Sequence, residues 1–153
     1  MMHWIAHRGN LYGPNPSREN HPDYIQEALH QGYDVEIDVW YKNGTWWLGH
    51  DEPQYPTTLS FLQTPRLWIH AKSLEALTEL CTYKDTLHFF SHDGDPVVLT
   101  SQAIPWVFPG KPLNHRCVAV MPERAKESYK ESQLKECYGI CSDYIADYFK
   151  YYQ

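Results

Sequence analysis

Short apolar runs that suit β-strands alternate with segments of helical spacing along the first half of this chain. The run from His3 to Arg8 precedes a helical pattern that begins near Pro22 and ends at Gly32, with its buried stripe predicted at Ile25, Ala28 and Leu29. Val35 to Trp40 is predicted as the next strand. Strand–helix–strand alternation is typical of a mostly parallel sheet with helices packed outside it. We therefore predict an α/β fold formed by residues 1–153 as a single domain.

The length of the chain limits which parallel fold can form. A complete eight-fold TIM barrel typically needs ~250 residues, whereas this chain has 153. We therefore expect a shortened TIM-like (β/α) barrel in which loops or hairpins replace several helices. Residues 86–116 contain strand patterns but no helical pattern, so the shortening is predicted there.

The remaining predictions of secondary structure complete this outline. A helix capped by Ser73, with Leu74, Leu77 and Leu80 as its apolar face, follows the predicted strand Leu67–Ala71. The other expected elements are a hairpin arm at Thr45–Leu48, a loop over 51–58, strands at Leu87–Phe90, Val97–Leu99, Cys117–Met121 and Tyr138–Ser142, a Pro-rich connection from Trp106 to Pro112, a polar helix over 123–135 and a closing helix at Tyr144–Tyr151.

Composition narrows the classes of partner and location. The formal net charge of −6 leaves no basic surplus for nucleic-acid binding. No apolar run approaches the ~20 residues that span a membrane, and the first residues lead directly into a strand rather than a signal peptide. The four cysteines lack metal-finger spacing and are expected to be free thiols. These features predict a cytoplasmic protein, and the sequence is silent on its oligomeric state.

Two carboxylates on one strand are the strongest indication of a metal site. Glu36 and Asp38 are two residues apart, so both side chains leave the same face of the predicted strand. On a buried face they would repel each other and lose their hydration, and a divalent cation removes both costs. The alternative is a structural ion network with Arg8 and Lys72.

Two histidines near these carboxylates suggest proton transfer at a phosphate ester. His7 lies near the end of the first predicted strand, and His50 follows the hairpin arm. An arginine and a cation would bind the phosphate oxygens, one histidine would take a proton from the attacking hydroxyl, and the other would protonate the departing alkoxide. Alternatively, His50 is a structural histidine at the edge of a loop.

The order of these motifs resembles the glycerophosphodiester phosphodiesterase family, in the phospholipase C-like phosphodiesterase superfamily. The resemblance rests on His7-Arg8-Gly9, Glu19-Asn20, Glu36-Ile37-Asp38-Val39 and Gly49-His50-Asp51, with weaker similarity in Leu67-Trp68-Ile69-His70-Ala71-Lys72 and Ile140-Cys141-Ser142-Asp143-Tyr144. It covers residues 3–52 closely and the rest of the chain in scattered matches. It implies a TIM-barrel fold and cation-dependent hydrolysis of glycerophosphodiesters to glycerol phosphate and an alcohol.

The resemblance also implies a role for each matching residue. His7 and His50 would be the acid–base pair, Glu36 and Asp38 metal ligands, and Arg8 and Lys72 the residues that hold the phosphate. Glu19 would brace Arg8, although it is also explained as a solvated loop acid.

One position departs from the family pattern. The family usually has a glutamate two residues before the lysine as a third metal ligand, and this chain has His70 there. One divalent cation is expected, Mg²⁺, Ca²⁺ or Mn²⁺, and Zn²⁺ becomes suitable if His70 is a ligand, since an imidazole favours borderline cations over Ca²⁺. Alternatively, His70 only bonds a neighbouring group.

The function predicted from the sequence is that of a metal-dependent phosphoric diester hydrolase acting on glycerophosphodiesters or similar small phosphodiesters. Attack by water and attack by a substrate hydroxyl, which gives a cyclic phosphate, both remain open. Two alternatives are a catalytically degenerate barrel that binds a phosphorylated ligand and a phospholipase D-like lyase of the same fold.

Overall fold

In the computed structural model, which describes residues 1–153, ten strands form one sheet and short helices pack against it. The strands are β1 His3–His7, β2 Asp34–Lys42, β3 Thr45–Leu48, β4 Tyr55–Thr57, β5 Leu67–Ala71, β6 Phe89–Phe90, β7 Val97–Leu99, β8 Pro105–Val107, β9 Val118–Val120 and β10 Gly139–Ser142. The α-helices are α1 Pro22–His30, α2 Leu59–Leu62, α3 Leu74–Cys81, α4 Glu131–Lys135 and α5 Ile145–Tyr151, and a 3₁₀ helix spans Pro122–Ser128.

Parallel pairing dominates the sheet. Seven strands run parallel in the order β6-β5-β2-β1-β10-β9-β8. Strand β7 pairs antiparallel with β8, and β3 and β4 form an antiparallel extension from the end of β2. The predicted α/β class with a mostly parallel sheet is confirmed.

The two ends of the parallel sheet approach each other without strand pairing. No ladder joins β6 to β7 or β8, so the closed barrel expected from the sequence is not shown. The rings of Phe90 and Trp106, from opposite ends of the sheet, nevertheless have centroids 4.6 Å apart. The Ser101 amide also donates a hydrogen bond to the Phe89 carbonyl (2.8 Å). The sheet therefore curves far enough for its end strands to share contacts.

Alternation along β2 separates an apolar face from a charged one. Val35, Ile37 and Val39 belong to the larger hydrophobic cluster, together with buried residues of α1, α3 and α5. Since side chains alternate along a strand, Asp34, Glu36 and Asp38 face the opposite way. A smaller cluster on that inner side includes Ile5, Trp68, Phe90, Trp106 and Cys141. The charged residues of β2 therefore lie inside the curved sheet.

The two longest helices form largely as predicted. His21 caps α1 by accepting a hydrogen bond from the Asp23 amide, and the helix ends before Gly32. The predicted stripe of Ile25, Ala28 and Leu29 is buried. Ser73 caps α3 through the Ala76 amide (3.1 Å).

Leu74, predicted on the apolar face of α3, is 79% exposed. Ala76 and Leu80 are the residues that α3 buries. None of the helices combines the length and the apolar character that a membrane crossing requires.

Two strands that begin with proline or contain it lie in segments that were wrongly predicted to be loop or connection. The loop expected over 51–58 contains β4, and the Pro-rich connection expected from 106 to 112 contains part of β8. Pro56 lies in the outermost strand opposite Trp47, and Pro105 opens its strand. Proline lacks the amide hydrogen of a central strand but is tolerated at an edge or at a first position.

The predicted polar helix over 123–135 was also wrong, because the segment breaks into the 3₁₀ helix and α4. Ala125 has non-helical dihedral angles (φ −142°, ψ 44°), and Tyr129 is extended. The extended backbone carries the Tyr129 hydroxyl to the Lys111 carbonyl, to which it donates a 2.7 Å hydrogen bond.

Candidate active site

Parallel pairing brings the predicted site residues together at the carboxyl ends of neighbouring strands. In the strand register, His7 on β1 lies beside Glu36 on β2, and Asp38 lies beside His70 on β5. Asp143 directly follows β10, the neighbour of β1 on the other side. Because residues two apart share a face, these side chains all project into the same end of the curved sheet.

Glu36, Asp38 and His70 form the centre of this site, and we call them the acceptor cluster. Nδ1 of His70 lies 3.2 Å from Asp38 Oδ1 and 3.7 Å from Glu36 Oε2. One ligand-type atom from each residue lies within 4.8 Å of the others. The carboxylates are only 2% and 1% exposed. This buried cluster could hold a metal ion.

A hydrogen bond on the far side of its ring sets the tautomer of neutral His70. Nε2 of His70 lies 3.2 Å from the carbonyl oxygen of His92. A carbonyl oxygen can only accept, so Nε2 carries the hydrogen. A neutral His70 therefore presents the lone pair of Nδ1 to two carboxylates, and either a proton or a cation must lie between them. A backbone carbonyl that orients the outer nitrogen is the usual support of a metal-binding histidine.

Glu36 is the least compensated member of the acceptor cluster. Its Oε1 atom is buried and accepts no hydrogen bond. Burial, followed by repulsion from Asp38, raises the pKa of Glu36 to about 7. A buried carboxylate oxygen without a donor normally carries a large desolvation cost. The donor set of two carboxylates and one imidazole, with this oxygen free, fits a divalent cation.

Asp38 is held more firmly than Glu36. Asn20 donates from Nδ2 to Asp38 Oδ2 (2.8 Å), and its Oδ1 accepts from the Asp38 amide (2.9 Å). Arg8 Nε lies 3.4 Å from the same Oδ2. Although burial opposes it, the contact with His70, the hydrogen bond from Asn20 and the charge of Arg8 lower the pKa of Asp38 to about 2. Asp38 is therefore a fixed carboxylate whose Oδ1 faces His70.

His7 is paired with a carboxylate at one nitrogen and faces the acceptor cluster with the other. Nδ1 lies 2.7 Å from Asp143 Oδ1, and Nε2 lies 3.9 Å from Glu36 Oε1. Asn10 donates a second hydrogen bond to the same Asp143 oxygen (2.9 Å), and its own carbonyl accepts from Tyr24. Burial opposes protonation, but Asp143 and Glu36 outweigh it and raise the pKa of His7.

The turn after β1 adopts an uncommon backbone conformation that brings Arg8 to the cluster. Arg8 has a φ of 56°, in the left-handed region that few non-glycine residues occupy. Its Nη1 pairs with Glu19 at 3.1 Å, as the resemblance implies, while Nε is buried without a hydrogen-bond partner. Gly9 follows at φ 91°, and a Cβ there would lie 2.8 Å from the Tyr24 ring. Glycine is therefore required directly after the arginine.

His50 and Lys72 lie at the same edge but do not contact the acceptor cluster. The amide of Gly49, the residue before His50, donates to the Asp38 carbonyl (3.1 Å), and the Lys72 amide donates to Val39 (2.9 Å). The His50 side chain instead bonds Asp51 at 2.6 Å. The Lys72 ammonium has no ion pair or hydrogen bond. Both residues therefore lie at the rim of the site, and neither side chain is bonded to the acceptor cluster.

A second group of polar residues lies at the opposite end of the same strands, and we call it the paired cluster. It consists of His3, Asp34 and Trp68. Asp34 Oδ2 lies 2.9 Å from His3 Nδ1 and accepts from Trp68 Nε1 at 3.0 Å. His88 packs on the Trp68 ring with centroids 4.1 Å apart. Asp34 Oδ2 thus meets a nitrogen on each of two neighbours, whereas Glu36 Oε1 in the acceptor cluster accepts no hydrogen bond.

Sequence reasoning gave no role to two supports of the site, Asp143 and Asn10. Asp143 lies 136 positions from His7, and Asn10 lies in a loop. The available signal for Asp143 was an acid directly after a strand, in a run already noted for its resemblance. Asn20 was noted in the Glu19-Asn20 run, but its double hydrogen bond to Asp38 was not predicted.

Similarity to known proteins adds nothing to this description. No family model matches the chain, and no curated protein or solved structure matches it either. The function must therefore be inferred from the chemistry of the site itself.

Proposed function

We propose that this protein is a metal-dependent phosphoric diester hydrolase that acts on glycerophosphodiesters or similar small phosphodiesters. The observation that carries the proposal is the convergence of a carboxylate-paired histidine on a buried set of metal-type ligands. Nδ1 of His7 is held by Asp143, and its Nε2 faces the acceptor cluster. This combination supplies both proton transfer and charge stabilisation.

His7 acts as the general base. Because Asp143 accepts the hydrogen on Nδ1, the lone pair of Nε2 points to the space above Glu36. There it takes a proton from the attacking hydroxyl, which belongs either to water or to the substrate. Asp143 holds the ring in this tautomer and stabilises the imidazolium that forms.

The acceptor cluster and Arg8 bind the phosphate. Glu36, Asp38 and His70 would hold the cation, which when bound supplies a Lewis acid for the phosphate oxygens. Arg8 adds a guanidinium whose Nε has no hydrogen-bond partner. Two carboxylates and an imidazole suit Mn²⁺ or Zn²⁺ better than Ca²⁺ or Mg²⁺.

His50 protonates the leaving alkoxide. Asp51 bonds Nδ1 of His50 just as Asp143 bonds Nδ1 of His7, so Nε2 is again the nitrogen left for substrate. Its backbone is tied to β2 through Gly49, and a rotation of the side chain toward the cluster completes the acid–base pair. Lys72, at the same rim, binds a phosphate oxygen.

The fold that goes with this function is a shortened TIM-like barrel. The contact of Phe90 with Trp106, and the hydrogen bond from Ser101 to Phe89, support closure by side chains and loops where a full barrel would pair its strands. The chain between α3 and the 3₁₀ helix, residues 82–121, contains no helix, which agrees with helices lost in that part.

The test is phosphodiester cleavage by the chelated protein after separate addition of Mg²⁺, Ca²⁺, Mn²⁺ and Zn²⁺. The substrates are bis(p-nitrophenyl) phosphate and glycerophosphocholine. We expect turnover that depends on the added cation and is greater with Mn²⁺ or Zn²⁺ than with Ca²⁺. A folded sample that cleaves neither substrate with any cation would contradict the proposal, and equal activity with Ca²⁺ would contradict His70 as a ligand.

A second candidate is a binding protein for a phosphorylated ligand without turnover. The observation that favours it is the absence of contact between His50 and the acceptor cluster, since a hydrolase needs an acid for its leaving group. Saturable binding of glycerol phosphate by wild-type protein, with no turnover, would select this function. Loss of turnover in both His7→Ala and His50→Ala would select the hydrolase.

A further inference from the structure

A groove of about 790 Å³ lies outside the sheet, between the 3₁₀ helix, α4 and α5. Eleven residues line it, and five of them are tyrosines. Three carboxylates and one lysine leave the lining with a net charge of −2. The volume falls in the range of small-molecule sites. The groove uses no residue of the acceptor cluster or of the two histidine–aspartate pairs.

The carboxylate of Glu123 is only half satisfied. Its Oε1 accepts a short hydrogen bond from Ser142 (2.6 Å), whereas its Oε2 is buried and has no partner. Burial, followed by the charge of Glu123 and the contact with its carboxylate, raises the pKa of Tyr148. The Tyr148 hydroxyl therefore stays neutral beside this carboxylate.

One edge of the groove already holds an ammonium group of the protein. Lys135 Nζ lies 2.6 Å from Glu131 and 5.4 Å from the centre of the Tyr152 ring. A cation over a tyrosine face beside a carboxylate is a favourable arrangement. Glu123 and Asp147, with the remaining tyrosines, offer the same elements and have no such lysine paired to them.

We propose that this groove binds a small organic ammonium ion. The tyrosine faces attract its positive charge, and the Glu123 carboxylate neutralises it. A neutral molecule of the same shape would gain only the apolar contacts and none of this charge attraction. The inference does not depend on the proposed hydrolase activity, because binding is measured without turnover.

The test is calorimetric titration of the whole protein with choline, at constant ionic strength, beside its neutral isostere 3,3-dimethylbutan-1-ol. We expect saturable binding of choline and at least about tenfold weaker binding of the alcohol. Equal affinity for the two molecules would show that the groove recognises only their apolar shape, and this would overturn the proposal. No saturation by choline at about 10 mM, close to the weakest affinity for a specific site, would also overturn it.

Two variants and one control variant test whether choline binds in this groove. Glu123→Gln keeps an oxygen that accepts from Ser142, so the fold is retained, and we expect choline affinity to fall about tenfold. Glu127→Gln lies in the same 3₁₀ helix, is exposed and does not line the groove, so it is the matched control. Tyr151→Leu removes an exposed ring and should also weaken choline binding. Equal losses of choline affinity in the Glu123 and Glu127 variants would show that only the overall surface charge matters, and this would contradict the proposed site.

Discussion

The acceptor cluster lies at one end of β2 and β5, and the paired cluster lies at the opposite end of these two strands and of β1. Both combine histidine with aspartate or glutamate on the inner face of the sheet. In the paired cluster, a single Asp34 oxygen meets two donors, His3 and Trp68. In the acceptor cluster, a histidine nitrogen faces two carboxylates, and Glu36 Oε1 accepts no hydrogen bond.

The difference teaches that residue type alone does not distinguish a structural network from a ligand site. What distinguishes them is the balance of donors and acceptors. A buried group of polar atoms that satisfy one another needs nothing further, whereas converging acceptors leave a deficit of positive charge. The deficit at the acceptor cluster is the physical reason to expect a cation at one end of the strands only.

The largest expected effect is on kcat, and it distinguishes the two histidines of β1. His7→Ala should lower kcat about 1000-fold, since general-base catalysis contributes roughly 10² to 10⁴. His3→Ala, at the other end of the same strand, should leave kcat close to wild type. Steady-state kinetics at saturating cation measures both. Similar losses in the two variants would mean that the strand, and not the base, is being perturbed.

The next largest effect is on cation affinity, and it distinguishes the two aspartates of β2, one from each cluster. Asp38→Asn should weaken binding of Mn²⁺ or Zn²⁺ at least about 100-fold, because loss of even an outer support of a ligand costs roughly 10- to 100-fold. Asp34→Asn should leave that affinity unchanged and lower the free energy of unfolding by about 1–3 kcal/mol. Competition with a fluorescent chelator gives the affinities. Unchanged affinity in Asp38→Asn would remove the acceptor cluster as a metal site.

A third effect concerns the metal-free protein and its pH dependence. The pKa of Glu36 is raised to about 7 from its ordinary value of 4.5. The carboxyl group therefore ionises less readily in the folded state than in the unfolded state. The contribution of Glu36 to stability should therefore fall as pH rises from about 4.5 to 7 and stay low above that.

Glu36→Gln removes this penalty, so it should raise the free energy of unfolding at pH 8 by about 3 kcal/mol and leave it nearly unchanged at pH 4. Urea denaturation in the presence of a chelator measures the difference. Destabilisation by Glu36→Gln at pH 8 would show that the carboxylate is already compensated without a cation. The matched change in the paired cluster, Asp34→Asn, is expected to lower the free energy of unfolding instead.

The smallest effect compares the two histidine–aspartate pairs. Asp51 is 93% exposed in its side chain, whereas Asp143 is buried and supported by Asn10. An exposed ion pair contributes little, so Asp51→Asn should lower kcat only about threefold. Asp143→Asn should cost clearly more. A larger loss from Asp51→Asn would mean that His50 closes over bound substrate and buries its pair.

The sequence predicted the parts of the fold that depend on local pattern. The spacing of Ile25, Ala28 and Leu29 fixed the buried face of α1, and the alternation along β2 placed Glu36 and Asp38 on one side. It did not predict β8, because whether a short segment with a proline becomes a strand depends on which strands lie beside it.

The candidate site shows the same division. His7, Glu36, Asp38 and His70 end or lie within patterned strands, so their meeting followed from a parallel sheet. The link between His7 and Asp143 joins the first strand to the last, and strand order is not encoded in the spacing of either one. The position of the His50 side chain was also beyond reach, since a rotamer at an exposed edge depends on its immediate contacts.

The hydrogen bond from His70 to the His92 carbonyl ties the metal-type ligands to the connection between the two ends of the sheet. His92 lies between β6 and β7, packs edge-to-face on Phe108 with centroids 3.9 Å apart, and bonds the Asp95 carbonyl. A cation on Nδ1 would strengthen the Nε2 donor and so tighten this connection. Occupancy of one small site would then hold the connection between the two ends of the sheet in place, and slower amide exchange at residues 91–95 would be its measurable sign.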